Sequence, residues 1–351
     1  MTDGKDKAGV RIVSKGDLGE IYSLRNRAGM EARIASYGGT VMSLHVADAR
    51  GNFDDVVLGH DNIEAYVDKS PYFGCLIGRY GNRIAKARFT LDGKEHVLAA
   101  NNGTNSLHGG VKSFDKVVWA ARPVQGDLGP ALELNYLSPD GEEGFPGNLA
   151  VTARYTVTED NGLRLDFSAT TDKKTIVNLT HHSYFNLAGK GDILGHQVLL
   201  NAKRFTPVDA SLIPTGELRP VAGTPFDFTL STAVGARVDN DDDQLRLGCG
   251  YDHNWVIDKP LGQLGLVGRV CEAGSGRVME VLSTEPGAQL YTGNYLDETI
   301  TGKRGWKYGK RAALCIEPQH YPDTPNQAGF PPATLSPGDT YRNTIIYKFS
   351  I

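Results

Sequence analysis

From Leu149 to Ala169 the apolar side chains fall on every second position. Leu149, Val151, Ala153, Tyr155 and Val157 come first, and Leu163, Leu165, Phe167 and Ala169 follow beyond Asp160-Asn161-Gly162. A period of two puts successive side chains on opposite faces of an extended chain, so the pattern predicts two antiparallel strands. Asn161-Gly162 is expected to make the turn, because asparagine and glycine tolerate left-handed backbone angles. A second hairpin is expected at Phe89–Leu91, Asp92-Gly93 and His96–Leu98. The last segment, with Tyr341, Ile345, Tyr347, Phe349 and Ile351 on one face, reads as a closing strand. Helical periodicity is scarce, and residues 62–67 are the one short helix expected. The 42 glycines and 17 prolines of this 351-residue chain are spread along it instead of pooled in a linker, which implies many turns. Strand signals recur without a break in composition or a fixed-period repeat. The expected architecture is therefore all-β, a large antiparallel β-sandwich formed by residues 11–351 after a flexible tail of residues 1–10.

Composition narrows the partners. The net charge is −4, from 37 basic and 41 acidic residues, and gives no reason to expect nucleic acid or anionic membrane. Residues 1–7 carry charge where a secretory leader would be apolar, and no run approaches a membrane span. Cys75, Cys249, Cys271 and Cys315 form no C-x-x-C pair and are too few for a disulfide framework. The expectation is a cytoplasmic protein, monomer or homodimer, with a small-molecule partner.

Nucleotide and hydrolase signatures are missing: no P-loop, no G-x-G-x-x-G after a strand, no H-E-x-x-H and no G-x-S-x-G. The acidic run Asp239, Asp241, Asp242, Asp243 lacks the glycine and glutamate of a calcium loop and reads as a solvated loop. Five other stretches concentrate polar residues among glycines and aromatics. Gly78-Arg79-Tyr80-Gly81-Asn82-Arg83-Ile84 has two arginines four apart, planar donors suited to hydroxyl or carboxylate oxygens. Asn105-Ser106-Leu107-His108-Gly109-Gly110 ends on glycines that permit close approach. In Asn178-Leu179-Thr180-His181-His182-Ser183-Tyr184, adjacent histidines on an extended chain face opposite sides, so only one can enter a given pocket. That argues against a zinc pair, and no metal or other cofactor is expected. Tyr251-Asp252-His253-Asn254-Trp255 is the fourth stretch. In the fifth, Leu314-Cys315-Ile316-Glu317-Pro318-Gln319, an apolar strand is expected to end on a partly buried glutamate whose pKa rises toward that of a general base. A sugar ring needs donors and acceptors for its hydroxyls and an acid–base pair at its anomeric end. These residue types supply both.

Taken together and in this order, the first four stretches, with Pro286-Gly287-Ala288-Gln289 and Glu317-Pro318-Gln319-His320-Tyr321-Pro322-Asp323, resemble the aldose 1-epimerases, the galactose mutarotase family. The resemblance runs from about residue 11 to the C-terminus and implies the galactose mutarotase-like supersandwich fold. It also implies roles. Glu317 resembles the base that removes the anomeric hydroxyl proton, and His182 the acid that protonates the ring oxygen. His108 resembles a second active-site histidine, while Asn82, Arg83, Asp252 and Gln289 resemble the hydroxyl-binding set. The implied substrate is a free aldose, and the implied chemistry is ring opening, rotation about C1–C2 and reclosure. Two features depart from the family pattern: His181 stands where asparagine is common, and Tyr80-Gly81 replaces a small aliphatic pair. Both are expected to bear on substrate preference. Rival readings are a hexose-6-phosphate epimerase, which needs a cationic clamp beyond Arg83, a non-catalytic sugar-binding module, and a glycoside hydrolase using Asp252 and Glu317.

Overall fold

The computed structural model describes residues 7–351. Three antiparallel sheets dominate. The longest has nine strands and is built around Leu149–Val157 and Gly162–Thr171, with the closing strand Tyr341–Ser350 paired to the second of these. Their alternating side chains make continuous apolar rows across the ladder: Leu132, Tyr155, Leu165 and Ile345 in one, Val157, Leu163, Tyr347 and Val281 in another. All of these are buried. They share one cluster with Leu24, Ile34 and Leu44 from a five-stranded N-terminal sheet, and with Trp255, Leu290 and Ile316 from a second five-stranded sheet. Tyrosine hydroxyls tie the layers together. Tyr155 donates to the Gly39 carbonyl at 2.8 Å, and Tyr347 donates to the Ile316 carbonyl at 3.1 Å. A buried hydroxyl left without such a partner would cost about 1–3 kcal/mol.

The hairpin turns follow from local chemistry. Asp92 and Gly93 both adopt left-handed angles, as a two-residue type I′ turn requires. The other turn differs from expectation, because Asn161 alone is left-handed and Gly162 already belongs to the next strand. Four residues make that loop, closed by Thr158, whose amide donates to the Gly162 carbonyl and whose hydroxyl accepts from the Gly162 amide.

Two short α-helices occur among the described residues. Glu64–Lys69 matches the expected segment, with Asn62 accepting from the Ala65 amide. The second, Asp243–Leu247, starts only at the end of the acidic run, whose Asp239, Asp241 and Asp243 are exposed as expected: Asp242 caps it by accepting from the Gln244 and Leu245 amides. The first strand starts at Gly9, so Gly9 and Val10 pair with Arg25 and Leu24 instead of belonging to a tail, and residues 1–6 lie outside the described residues. Ile351 follows the closing strand and is exposed.

Candidate active site

The second five-stranded sheet carries one polar face and one apolar face, and register decides which residues share each. Asn254 of Asp252–Val256 lies opposite Gln289 of Gly287–Tyr291, which lies opposite Glu317 of Cys315–Gln319. Side chains directly across a ladder point the same way, so these three form a row, with Asp252 two residues along on the same face. The intervening His253, Trp255, Leu290 and Ile316 face the core, where His253 packs edge-on against Phe226. Glu317 therefore sits in the middle of its strand, not at its end. The proline after it is tolerated because Cys315–Gln319 is an edge strand of this sheet.

The two histidines come from elsewhere in the chain. His182 follows a two-residue strand, Thr180–His181, and the alternation expected of the pair holds. The His181 ring points into the core, edge-on to Tyr155 and Tyr347, with Nε2 against the Gly74 carbonyl at 3.0 Å. His182 points the other way, its Nε2 3.6 Å from Glu317 Oε2. His108 occupies a left-handed position just before Gly109, where a Cβ would lie 2.0 Å from the Gly78 carbonyl oxygen, so only glycine allows this approach. The His108 ring meets His182 edge-on at 5.2 Å between centroids. The Asn82 amide donates to His108 Nδ1 at 3.2 Å, which places the proton of the neutral ring on Nε2.

Around this centre Gln289 Nε2 donates to Asp252 Oδ1 at 2.7 Å, and the Arg83 guanidinium approaches Asp252 Oδ2 at 3.7 Å. Arg83 also donates to Asn102, and its backbone amide to Asn82 Oδ1. Glu317 Oε2, Gln289 Oε1 and both amide atoms of Asn254 are buried without a hydrogen-bond partner among the described residues. Each of these buried polar atoms calls for a partner that the neighbouring side chains do not supply.

Burial sets the charge states. Desolvation, helped by the Asp252 carboxylate and opposed by Arg83, raises the Glu317 pKa well above the usual carboxylate range. Desolvation lowers His182 to about 3, with His181 adding to the effect, and lowers His108 well below its ordinary value, with His182 and Arg83 contributing. Burial thus favours the uncharged form of each partner, the protonated Glu317 carboxyl and the neutral His182 ring.

All seven residues expected at the site lie in this neighbourhood. Arg79 does not. It is buried, and its guanidinium is spent on Ser138, Pro139, Pro146 and Gly147, mostly on backbone carbonyls. The two departures from the family pattern also lie behind the site: His181 as described, and Tyr80 buried with its hydroxyl donating to the Tyr321 carbonyl. Three residues went unassigned in the sequence. Tyr72 and Tyr184 stack on His182, and Asn254 joins the Gln289–Glu317 row. Tyr184 was readable, because it is two residues from His182 on an extended segment and so shares its side.

His108, His182 and Glu317 bring ligand atoms within 4.8 Å of one another, a donor set that also suits zinc. The Asn82 amide argues against that use. It occupies the lone pair of His108 Nδ1 and leaves Nε2 protonated, so neither nitrogen is free to ligate.

A sequence model of aldose 1-epimerases matches residues 20–348. The galactose mutarotase of Bos taurus is 49% identical over 321 residues, covering 91% of this chain and 90% of that protein. The aldose 1-epimerase of Escherichia coli is 36% identical, covering 94% of each. Among solved structures, an aldose epimerase homologue from C. elegans superposes with a TM-score of 0.86 at 30% identity, covering 94% of this chain and 98% of that one. With the fold, the ordered motifs and these likenesses in agreement, the chain belongs to the aldose 1-epimerase family.

Proposed function

We propose that this protein interconverts the α and β anomers of a free aldose, with Glu317 and His182 as its acid–base pair and His108, Asn82, Arg83, Asp252 and Gln289 holding the sugar. The observation that carries the reading is the buried His182–Glu317 contact at 3.6 Å. The anomeric hydroxyl and the ring oxygen are bonded to the same carbon. A base for one and an acid for the other must therefore converge on a single point.

Ring opening takes the proton from O1 to the Glu317 carboxylate and delivers a proton from the His182 imidazolium to O5. The C1–O5 bond breaks as C1=O1 forms, giving the open aldehyde. Rotation about C1–C2 presents the other face of the carbonyl, and reclosure runs the two transfers backwards. The form needed is Glu317 ionised and His182 protonated. It differs from the uncharged pair that burial favours only by the position of one proton, so net charge is unchanged and the pair titrates as a unit. The unpartnered Glu317 Oε2 and Gln289 Oε1 are free to accept from sugar hydroxyls. Acid–base assistance of this kind is worth ~10²–10⁴ in rate.

Two observations weigh against the rivals. Arg83 is already engaged by Asp252 and Asn102, which makes it a poor phosphate clamp. Asp252 is likewise tied to Gln289 and Arg83, which fits a positioning role better than that of a second glycosidase carboxylate. A cytoplasmic setting belongs to the same proposal: Cys75, Cys249, Cys271 and Cys315 are all free thiols, and no helix among the described residues is long and apolar enough to cross a membrane. Polarimetry of freshly dissolved α-galactose and α-glucose tests the reading. Accelerated decay of optical rotation, unaffected by added hexose 6-phosphates, is expected, and rotation decaying at the buffer rate for every aldose would refute it.

A further inference from the structure

We propose that Tyr72 and Tyr184 are positioning residues that clamp the His182 ring by stacking their aromatic rings on it and stabilise its imidazolium form. The proposal rests on the acid role given to His182 above.

The Tyr184 ring lies 5.1 Å from the His182 ring, centroid to centroid, at 22° between planes, and the Tyr72 ring lies 5.9 Å away at 25°. Both distances are within reach of a cation–π attraction, which strengthens when the cation is cut off from water. That is the situation here: burial alone strongly disfavours a charged His182, yet protonating a ring oxygen requires one. A tyrosine face supplies negative quadrupole without a formal charge, so it favours the imidazolium and adds no second ion to desolvate. Tyr72 also packs against His108 at 4.7 Å. The other ionisable groups around the His182 ring are Glu317, His108 and, behind it, His181.

The backbone shows that Tyr72 is held there. Its φ is +66°, a left-handed conformation that a bulky residue keeps only when the surroundings fix it. Four hydrogen bonds do so by binding residues 71–75 to residues 181–184. The Gly74 amide donates to the His182 carbonyl at 3.0 Å, the His182 amide to the Cys75 carbonyl at 3.1 Å, and the Tyr184 hydroxyl to the Pro71 carbonyl at 3.0 Å. His181 Nε2 meets the Gly74 carbonyl at 3.0 Å. The turn that presents Tyr72 is therefore built onto the segment that presents His182 and Tyr184.

The test compares Tyr72→Leu, Tyr72→Gly and Tyr72→Phe, with Tyr184→Leu, Tyr184→Phe and His182→Ala alongside, by polarimetric kcat and KM and by thermal melting. Loss of one aromatic face should lower kcat about three- to thirty-fold with KM little changed, and phenylalanine, which keeps the face, should recover most of that loss. Tyr72→Gly also relaxes the backbone, so it should be slow without being less stable. Wild-type kcat in Tyr72→Leu and Tyr72→Gly would overturn the clamp, as would equal losses in the Phe and Leu variants. A change confined to KM would overturn it too, showing that Tyr72 touches the sugar and does not act through His182. The acid assignment fails separately, if His182→Ala stays active.

Discussion

His182 Nε2 and Glu317 Oε2 face one another across 3.6 Å, both side chains almost wholly buried. They reach this point from neighbouring extended segments, His182 from just past a two-residue strand and Glu317 from the centre of the strand beside it, where Thr180 donates to the Pro318 carbonyl at 2.7 Å. Because both belong to backbone held by hydrogen bonds, their separation is set by the fold and not by loop motion.

Asp252 tunes this pair. Its carboxylate raises the Glu317 pKa, so neutralising it in Asp252→Asn lets Glu317 remain ionised at lower pH. The acid limb of the kcat/KM profile is expected to move to lower pH, while KM rises because Arg83 loses its carboxylate partner. An acid limb that stays in place, or moves up, would show that Glu317 does not set it.

Metal removal should leave activity untouched, since the Asn82–His108 hydrogen bond leaves neither imidazole nitrogen of His108 free to ligate. Loss of mutarotation after EDTA, restored by zinc, would contradict that tautomer.

Acid should destabilise the fold before it exhausts the carboxylates. His181 and His196 are depressed to about 4, and His182 and His253 to about 3, in each case chiefly by burial. Below the unfolded histidine pKa of about 6.5 the unfolded chain binds more protons than the folded one, so stability falls as pH drops from there toward the folded values. Each such group contributes at most about 1.4 kcal/mol per pH unit. Glu317 has the opposite sign, its raised pKa costing stability as pH rises above the unfolded carboxyl value, and it offsets one histidine. The melting temperature should therefore drop between pH 7 and pH 5, less steeply in His181→Asn. A flat profile would mean that these histidines are not buried neutral.

Arg79 offers a test of a purely structural role. Arg79→Ala strands the Ser138, Pro139, Pro146 and Gly147 carbonyls and should cost about 3–5 kcal/mol in chemical denaturation, with normal kcat per folded molecule. A large fall in kcat at unchanged stability would return Arg79 to the site.

The parts of this structure legible in the sequence were those governed by local periodicity. The 149–171 hairpin and the opposite facing of His181 and His182 follow from a two-residue repeat, and the Asp92-Gly93 turn from the left-handed angles those two residues adopt. What was not legible depended on partners distant in the chain. Arg79 reads like Arg83 until the carbonyls near residues 138 and 147 fold around it. Glu317 looked like a strand end because proline lacks a donor, and only the sheet order shows that the strand lies at an edge, where the donor is not needed. Asp242 was a helix cap in plain view, since aspartate before a short apolar run is a start signal. Tyr72 left no trace, because a left-handed tyrosine has no sequence signature.

The most direct measurement is the polarimetric rate of α-galactose mutarotation with purified, folded Glu317→Gln, which keeps the shape of the side chain and removes its basicity. The account predicts a kcat lower by ~10²–10⁴, with a melting temperature at least equal to wild type because a buried ionisable group has gone. Near-normal kcat in that protein would contradict it.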